Sequence, residues 1–154
     1  MQIITNNSEE TIELGRIISR FLQKGDILAL FGDLGSGKTT LVKGIAKGLK
    51  VKSQIVNSPS FVLLKEYKGK LPVYHFDFYR IKKGEEVYGI GLEEFLFGKG
   101  ICVIEWADRI RRFLPKEYLR MELKVKDKNK RKIRMIGFGK HYKELVKKYE
   151  NTRV

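Results

Sequence analysis

The segment Gly32-Asp33-Leu34-Gly35-Ser36-Gly37-Lys38-Thr39-Thr40 carries the pattern G-x-x-x-x-G-K-[ST], between an apolar run, Ile27 to Phe31, and a stretch with helical spacing, Leu41 to Ala46. Its glycines let the backbone curl until successive N–H groups point inward, and the helix that follows adds free N–H groups and the positive end of its dipole. A polyphosphate fits such a nest. Lys38 would reach the β- and γ-phosphates as a point charge, while the Thr39 hydroxyl would hold a Mg²⁺ that bridges them. With 15 Gly, 22 Lys and 11 Ser plus Thr in 154 residues, chance would produce the pattern roughly one to two times in a hundred, before flanking context is demanded. The context is met on both sides.

Such a loop needs an acidic group at the end of a neighbouring strand to orient metal or water. Two runs supply one: Ile101-Cys102-Val103-Ile104-Glu105, continuously apolar as a strand buried on both faces should be, and Val73-Tyr74-His75-Phe76-Asp77. One reading places Glu105 on Mg²⁺, directly or through water, and Asp77 where it orients or deprotonates water near the γ-phosphate. The plainer alternative is a surface carboxylate for Glu105 and a structural partner of Arg80 or a hairpin neighbour for Asp77. His75 reads as a strand residue satisfied by hydrogen bonds. Trp106 should be partly exposed at the strand mouth, as a cap on the core or a surface that stacks on a ligand or partner.

The remaining elements follow from periodicity and turn chemistry. Gln2 to Thr5 can form an edge strand; Asn7 or Ser8 caps a helix whose first turn holds Glu9 and Glu10 and whose apolar face runs through Ile12, Ile17, Ile18, Phe21 and Leu22. A strand from Asp26 to Leu30 enters the loop, and a helix runs from Lys38 to about Gly48. Pro59 makes Asn57 to Ser60 a loop. Hairpins are expected for Phe61–Tyr67 with Leu71–Phe78 and for Tyr118–Lys126 with Lys132–Gly137; a short helix spans Leu92 to Phe97, and a last one carries Tyr142, Leu145, Val146 and Tyr149. This order implies a three-layer α/β domain over residues 1–154, its sheet mostly parallel with antiparallel edge strands.

Composition narrows the functional classes. The chain has no long apolar run and no basic start followed by an apolar core, so neither a membrane span nor a signal peptide is expected, and the cytoplasm is the expected compartment. Cys102 is the only cysteine and sits in an apolar run, which makes it a buried small hydrophobe. Two histidines and one cysteine argue against a zinc site. The formal net charge is +14, of which residues 111–154 contribute +11. That surplus suits RNA phosphates, an acidic partner surface, or a solvated Lys-rich surface of the kind thermophile proteins carry.

Taken together, the phosphate loop, Ser58-Pro59-Ser60-Phe61, Tyr74-His75-Phe76-Asp77-Phe78-Tyr79-Arg80 and Ile104-Glu105-Trp106 resemble the TsaE family, formerly called YjeE: small P-loop ATPases required for bacterial tRNA threonylcarbamoyladenosine (t6A) synthesis. The order and spacing look like the family's from about Ser8 to Gly137. The resemblance implies a P-loop NTPase fold that uses ATP and Mg²⁺. It implies phosphate contacts from Gly35, Ser36, Gly37, Lys38, Thr39 and Thr40, metal contacts from Thr39 and Glu105, and Asp77 near the hydrolytic water. Ser8 and Arg131 look like nucleotide contacts outside the loop, and Ser60, Arg80 and Trp106 like switch or partner residues. Ser60 stands where the family usually has Thr, and Ala107 where a proline commonly follows the tryptophan. The implied partners are a TsaD-type transferase and a TsaB-type companion, with tRNA reached through their complex and no membrane involved. A small-molecule kinase shares the loop and the size, and Arg109, Arg111 and Arg112 are the cluster it would use. No Asn-Lys-x-Asp guanine motif is present.

Overall fold

The computed structural model describes residues 1–52, 56–59 and 63–153. Seven strands form one sheet: β1 (Gln2–Thr5), β2 (Ile27–Phe31), β3 (Leu64–Tyr67), β4 (Val73–Asp77), β5 (Ile101–Glu105), β6 (Tyr118–Val125) and β7 (Arg131–Phe138), in the spatial order β1-β7-β6-β2-β5-β4-β3. The central strands β6, β2, β5 and β4 are parallel; β7 runs antiparallel beside β6 and β3 antiparallel beside β4, while β1 pairs antiparallel with β7 and so runs with the central strands. This is the expected α/β arrangement. β2 and β5 are buried along their whole length, which is why both read as unbroken apolar runs.

Period-two alternation divides the strand side chains between two cores. Leu28, Leu30, Val103, Leu119, Met121 and Ile133 face α1 (Ser8–Ile18), α2 (Lys38–Gly48) and α4 (Lys140–Asn151). Ala29, Phe76, Cys102 and Ile104 pack instead with α3 (Leu92–Leu96) and two short 3₁₀ segments, Gly84–Ile90 and Ala107–Phe113. The same alternation has a consequence for the chemistry: His75, Asp77 and Glu105 share parity with Val73 and Val103, and so stand on the α2 side of the sheet.

Helix α2, which opens from the glycine loop, is seated by close approach to α1. A Cβ on Gly44 would lie 2.0 Å from the Ile12 carbonyl oxygen, and one on Gly15 would lie 2.4 Å from that of Leu41. Glycine at both places lets the backbones touch. Asn7 rather than Ser8 caps α1, its Oδ1 accepting from Glu10 N–H at 2.8 Å. At the opposite end of the sheet, α4 is fixed by Tyr142, whose hydroxyl accepts from Ile27 N–H at 2.9 Å, and by the His141–Asp26 pair at 2.8 Å.

Several boundaries differ from those read in the sequence. β2 is shifted one residue onward, because Phe31 pairs with Glu122 of β6. β7 begins at Arg131, which pairs with both Val125 and Thr5. The 3₁₀ segments were not anticipated; the first packs on the second through the Tyr88–Phe113 ring contact and the Arg112–Glu85 ion pair. The basic surplus is concentrated on the β6–β7 hairpin, where exposed Lys124 lies opposite exposed Lys132. Phe61, Val62 and Ser60 lie outside the described residues.

Candidate functional site

The glycine loop joins β2 to α2 with Gly32, Gly35 and Gly37 at φ of 152°, 78° and 101°. The last two lie in the left-handed region that favours glycine, and Gly37 caps α2, so the helix begins at Lys38 with its amino end facing the loop. Lys38 is buried and its ammonium folds back onto the loop, donating to the carbonyls of Gly32 at 2.5 Å and Asp33 at 2.9 Å. Burial pushes its pKa down, and the carboxylates of Glu105, Asp77, Asp108 and Asp33 oppose that shift. The ammonium also lies 4.3 Å from the centre of the Trp106 ring.

Thr39, the next residue on α2, donates its hydroxyl to Glu105 Oε1 at 2.7 Å. Glu105 ends the central strand β5 and is 2 % exposed; its other oxygen meets His75 Nε2 at 2.8 Å. His75 Nδ1 meets the Tyr67 hydroxyl at 3.1 Å, and that hydroxyl also lies 3.3 Å from the Asn57 carbonyl oxygen. A buried polar chain therefore runs from α2 across β5 and β4 to β3. A hydrogen-bonded His75 is expected from the sequence; its link to Glu105 is not. The available signal was strand parity: in the observed register His75 pairs with Val103, two residues before Glu105.

Asp77 pairs with Glu105 in register. Its Oδ1 accepts from Tyr79 N–H at 2.9 Å, and its Oδ2 accepts from the Ser58 hydroxyl. Tyr79 packs against Trp106 with ring centres 4.9 Å apart. Trp106 adopts φ 56°, a left-handed conformation that a bulky residue rarely takes, and this turns the indole over the loop instead of along the strand. Ser58, Asp77, Tyr79, Arg80, Glu105 and Trp106 face the glycine loop across a cavity of about 350 Å³.

On the far side of the loop a second hollow, about 310 Å³, is bordered by Ser8, Gly37, Thr40, Asn129 and Arg131. Thr40 and Arg131 border both spaces. Arg131 leans from the start of β7 and donates to the Gly35 carbonyl at 3.2 Å, and to the carbonyls of Asp127, Lys128 and Lys130. Ser8 and Arg131, far apart in sequence, thus border one hollow beside the loop. Ser36 is buried under it, its Oγ 3.4 Å from Lys38 Nζ. Arg109 and Arg111 lie over the rings of Trp106 and Phe31, and Arg112 pairs with Glu85, so this cluster is engaged in holding the second 3₁₀ segment. Ser60 is outside the described residues.

The donors at the loop suit a hard divalent cation: one hydroxyl and one carboxylate, both oxygen, joined at 2.7 Å. Among the described residues no cluster of three or more His, Cys, Asp and Glu forms a self-sufficient metal site. A cation here would draw the rest of its shell from water and phosphate oxygens, which is the habit of Mg²⁺. The left-handed glycines and the buried Lys38 at a helix amino end likewise suit a polyphosphate.

Known proteins resemble this chain along most of its length. The family model described as "Threonylcarbamoyl adenosine biosynthesis protein TsaE" matches residues 5–133. The tRNA threonylcarbamoyladenosine biosynthesis protein TsaE of Bacillus subtilis (strain 168) is 43 % identical over 142 residues, covering 92 % of this chain and 88 % of that protein. Its counterpart in Treponema pallidum (strain Nichols) is 38 % identical over 133 residues, covering 86 % and 98 %. The crystal structure of Bacillus subtilis YdiB superposes with a TM-score of 0.86 at 36 % identity, covering 100 % of this chain and 96 % of that one.

Proposed function

The chain belongs to the TsaE family, and from that premise we propose that it is a Mg²⁺-dependent ATP-binding and hydrolysing subunit serving t6A formation on tRNA. It would act with a TsaD-type transferase and a TsaB-type companion, without transferring the carbamoyl group itself. The observation that carries this reading is the Thr39–Glu105 hydrogen bond at the mouth of a glycine loop that already seats Lys38.

In this reading Lys38 exchanges the Gly32 and Asp33 carbonyls for β- and γ-phosphate oxygens, and the N–H groups from Gly35 to Thr40 cradle the phosphates. Thr39 would hold the cation through a hydroxyl lone pair while still donating its proton to Glu105, which would orient water beside it. A Mg²⁺ held there would supply charge neutralisation for the phosphates. Asp77 orients the attacking water and accepts its proton, which requires Ser58 to release the carboxylate. Ser8, Thr40 and Arg131 border the nucleoside side. The engaged state of Arg109, Arg111 and Arg112 gives a kinase lid no support.

Phosphate release from ATP tests the reading, measured without an acceptor, for the chain alone and with the transferase pair, at two salt concentrations. Slow release that rises with partners is expected, with the stimulation weakening at high salt if the basic β6–β7 hairpin contributes to docking. A rate unchanged by partners refutes the gated subunit, and a phosphorylated small-molecule acceptor favours the kinase.

A further inference from the structure

We propose that His75 is a positioning residue: buried between Tyr67 and Glu105, it fixes the Glu105 carboxylate for the Mg²⁺ site, with its own ring held in place by the Tyr67 hydroxyl. This rests on the reading of Glu105 as a metal residue and adds to it the part that makes the carboxylate competent.

Three features carry the inference. The first is burial: His75 is 0 % and Glu105 2 % exposed, so water does not orient either group. The second is the division of the carboxylate: Oε1 accepts from Thr39 and Oε2 meets His75 Nε2, each below 3 Å. Two anchors on two oxygens fix both the position of the carboxylate and its rotation about the last side-chain bond. With the Thr39 anchor alone, the carboxylate could turn toward the Lys38 ammonium, whose charge it already senses. The third is the far edge of the ring: Nδ1 meets the Tyr67 hydroxyl at 3.1 Å, and that hydroxyl donates to the Asn57 carbonyl at 3.3 Å, so both ring nitrogens are engaged and the ring is held against Glu105. Hydrogen bonds of this kind behind a metal-binding group fix its orientation, and their loss typically costs about 10- to 100-fold in metal affinity or activity.

The chain has a further consequence. Tyr67 also touches the carbonyl of Asn57, which lies one residue before Ser58, the partner of Asp77. Both carboxylates of the site are therefore linked to one short segment, Glu105 through His75 and Tyr67, and Asp77 directly.

The test compares the parent chain with His75→Asn, His75→Gln and Tyr67→Phe. Glutamine can place an N–H donor near the Nε2 position, whereas the shorter asparagine cannot. ADP binding is measured by calorimetry across a Mg²⁺ titration and without Mg²⁺, and thermal unfolding verifies the fold of each variant. The expected result is that His75→Asn raises the Mg²⁺ concentration for half-effect about tenfold or more, while His75→Gln restores most of the difference. Mg²⁺-free ADP affinity should stay within about twofold in all, since the phosphate loop is untouched. Tyr67→Phe should shift the Mg²⁺ dependence in the same direction by about threefold. If His75→Asn does not fold, His75→Gln and Tyr67→Phe decide through the same Mg²⁺ titration: a Gln variant close to the parent with a Phe variant shifted about threefold supports the proposal. An unshifted Mg²⁺ dependence in His75→Asn or Tyr67→Phe overturns it. A parent chain whose ADP binding ignores Mg²⁺ refutes the metal reading itself, and the inference with it.

Discussion

The Ser58 hydroxyl donates to the Asp77 carboxylate, so the loop before β3 is tied to the end of β4 at the residue proposed to handle water. This contact occupies one of the two oxygens, and Tyr79 N–H occupies the other. Ser58→Ala should therefore keep nucleotide binding and raise the hydrolysis rate of the isolated chain, because the oxygen that would take a proton is freed. Asp77→Asn should also bind nucleotide but hydrolyse it about 100-fold more slowly. A fall in the Ser58→Ala rate, read by phosphate release, would show that the serine assists rather than restrains.

Lys38→Ala and Thr39→Ala should fail in different ways. Lys38 is the main cation proposed for the β- and γ-phosphates, so without its ammonium ATP affinity should fall with or without Mg²⁺. Thr39→Ala removes one oxygen from the cation and one anchor from Glu105, so binding should weaken chiefly when Mg²⁺ is present. Calorimetry with and without chelator separates the two patterns; identical patterns would mean that the cation does not sit at Thr39.

Gly44→Ala should destabilise the fold by about 2 kcal/mol or more, although alanine is the better helix former. The added methyl would stand 2.0 Å from the Ile12 carbonyl oxygen, and only a backbone shift of α1 against α2 could relieve it. Gly89→Ala is the control: nothing lies within 4 Å of a Cβ there. Denaturant midpoints for both variants check the contrast, and a Gly44→Ala midpoint equal to the parent's would contradict the close approach.

Stability should fall under alkaline conditions. Burial pushes the Cys102 thiol and the Tyr142 hydroxyl up to about 12 in the folded chain, from ordinary values of 9.0 and 10.0. Between these limits the unfolded chain has released protons that the folded chain retains, so stability is undiminished below about pH 9 and declines toward pH 12, at about 1.4 kcal/mol per pH unit for each group in its window. Cys102→Ala should flatten the decline that begins at about pH 9, where the thiol of the unfolded chain starts to ionise. Denaturant unfolding across this range gives the slope directly.

The parts of the site that are contiguous in the chain were the legible ones. Gly32 to Thr40 declares a phosphate loop by spacing alone, and the all-apolar β2 and β5 are recognisable because burial on both faces leaves no polar position before the strand ends. Glu105 could be proposed because it closes such a run, and Asp77 because it closes the strand-like run Val73 to Phe76. The His75–Glu105 contact was harder, since it depends on which strands are neighbours and in what register, and no local signal encodes that pairing. The 3₁₀ segments escaped for a related reason: they show no repeating apolar face and are held by distant partners, as Arg112 is by Glu85. Ser8 and Arg131 were placed by resemblance, and the fold accounts for their meeting, since β1 pairs with β7 and brings the start of α1 beside the β6–β7 turn.

The position of Trp106 gives the chain an optical readout of its own. It is the only tryptophan, and the ammonium that rests 4.3 Å from its ring centre belongs to the lysine proposed to move onto phosphates. A positive charge against an indole shifts the energy of its excited state, so departure of Lys38 should change both the colour and the yield of the intrinsic fluorescence, with no label attached. Stopped-flow mixing with ADP or ATP would then time the lysine's transfer separately from the chemistry that follows. In Lys38→Met, which keeps a long side chain but no charge, the signal should already lie away from the parent's resting value and respond weakly to nucleotide.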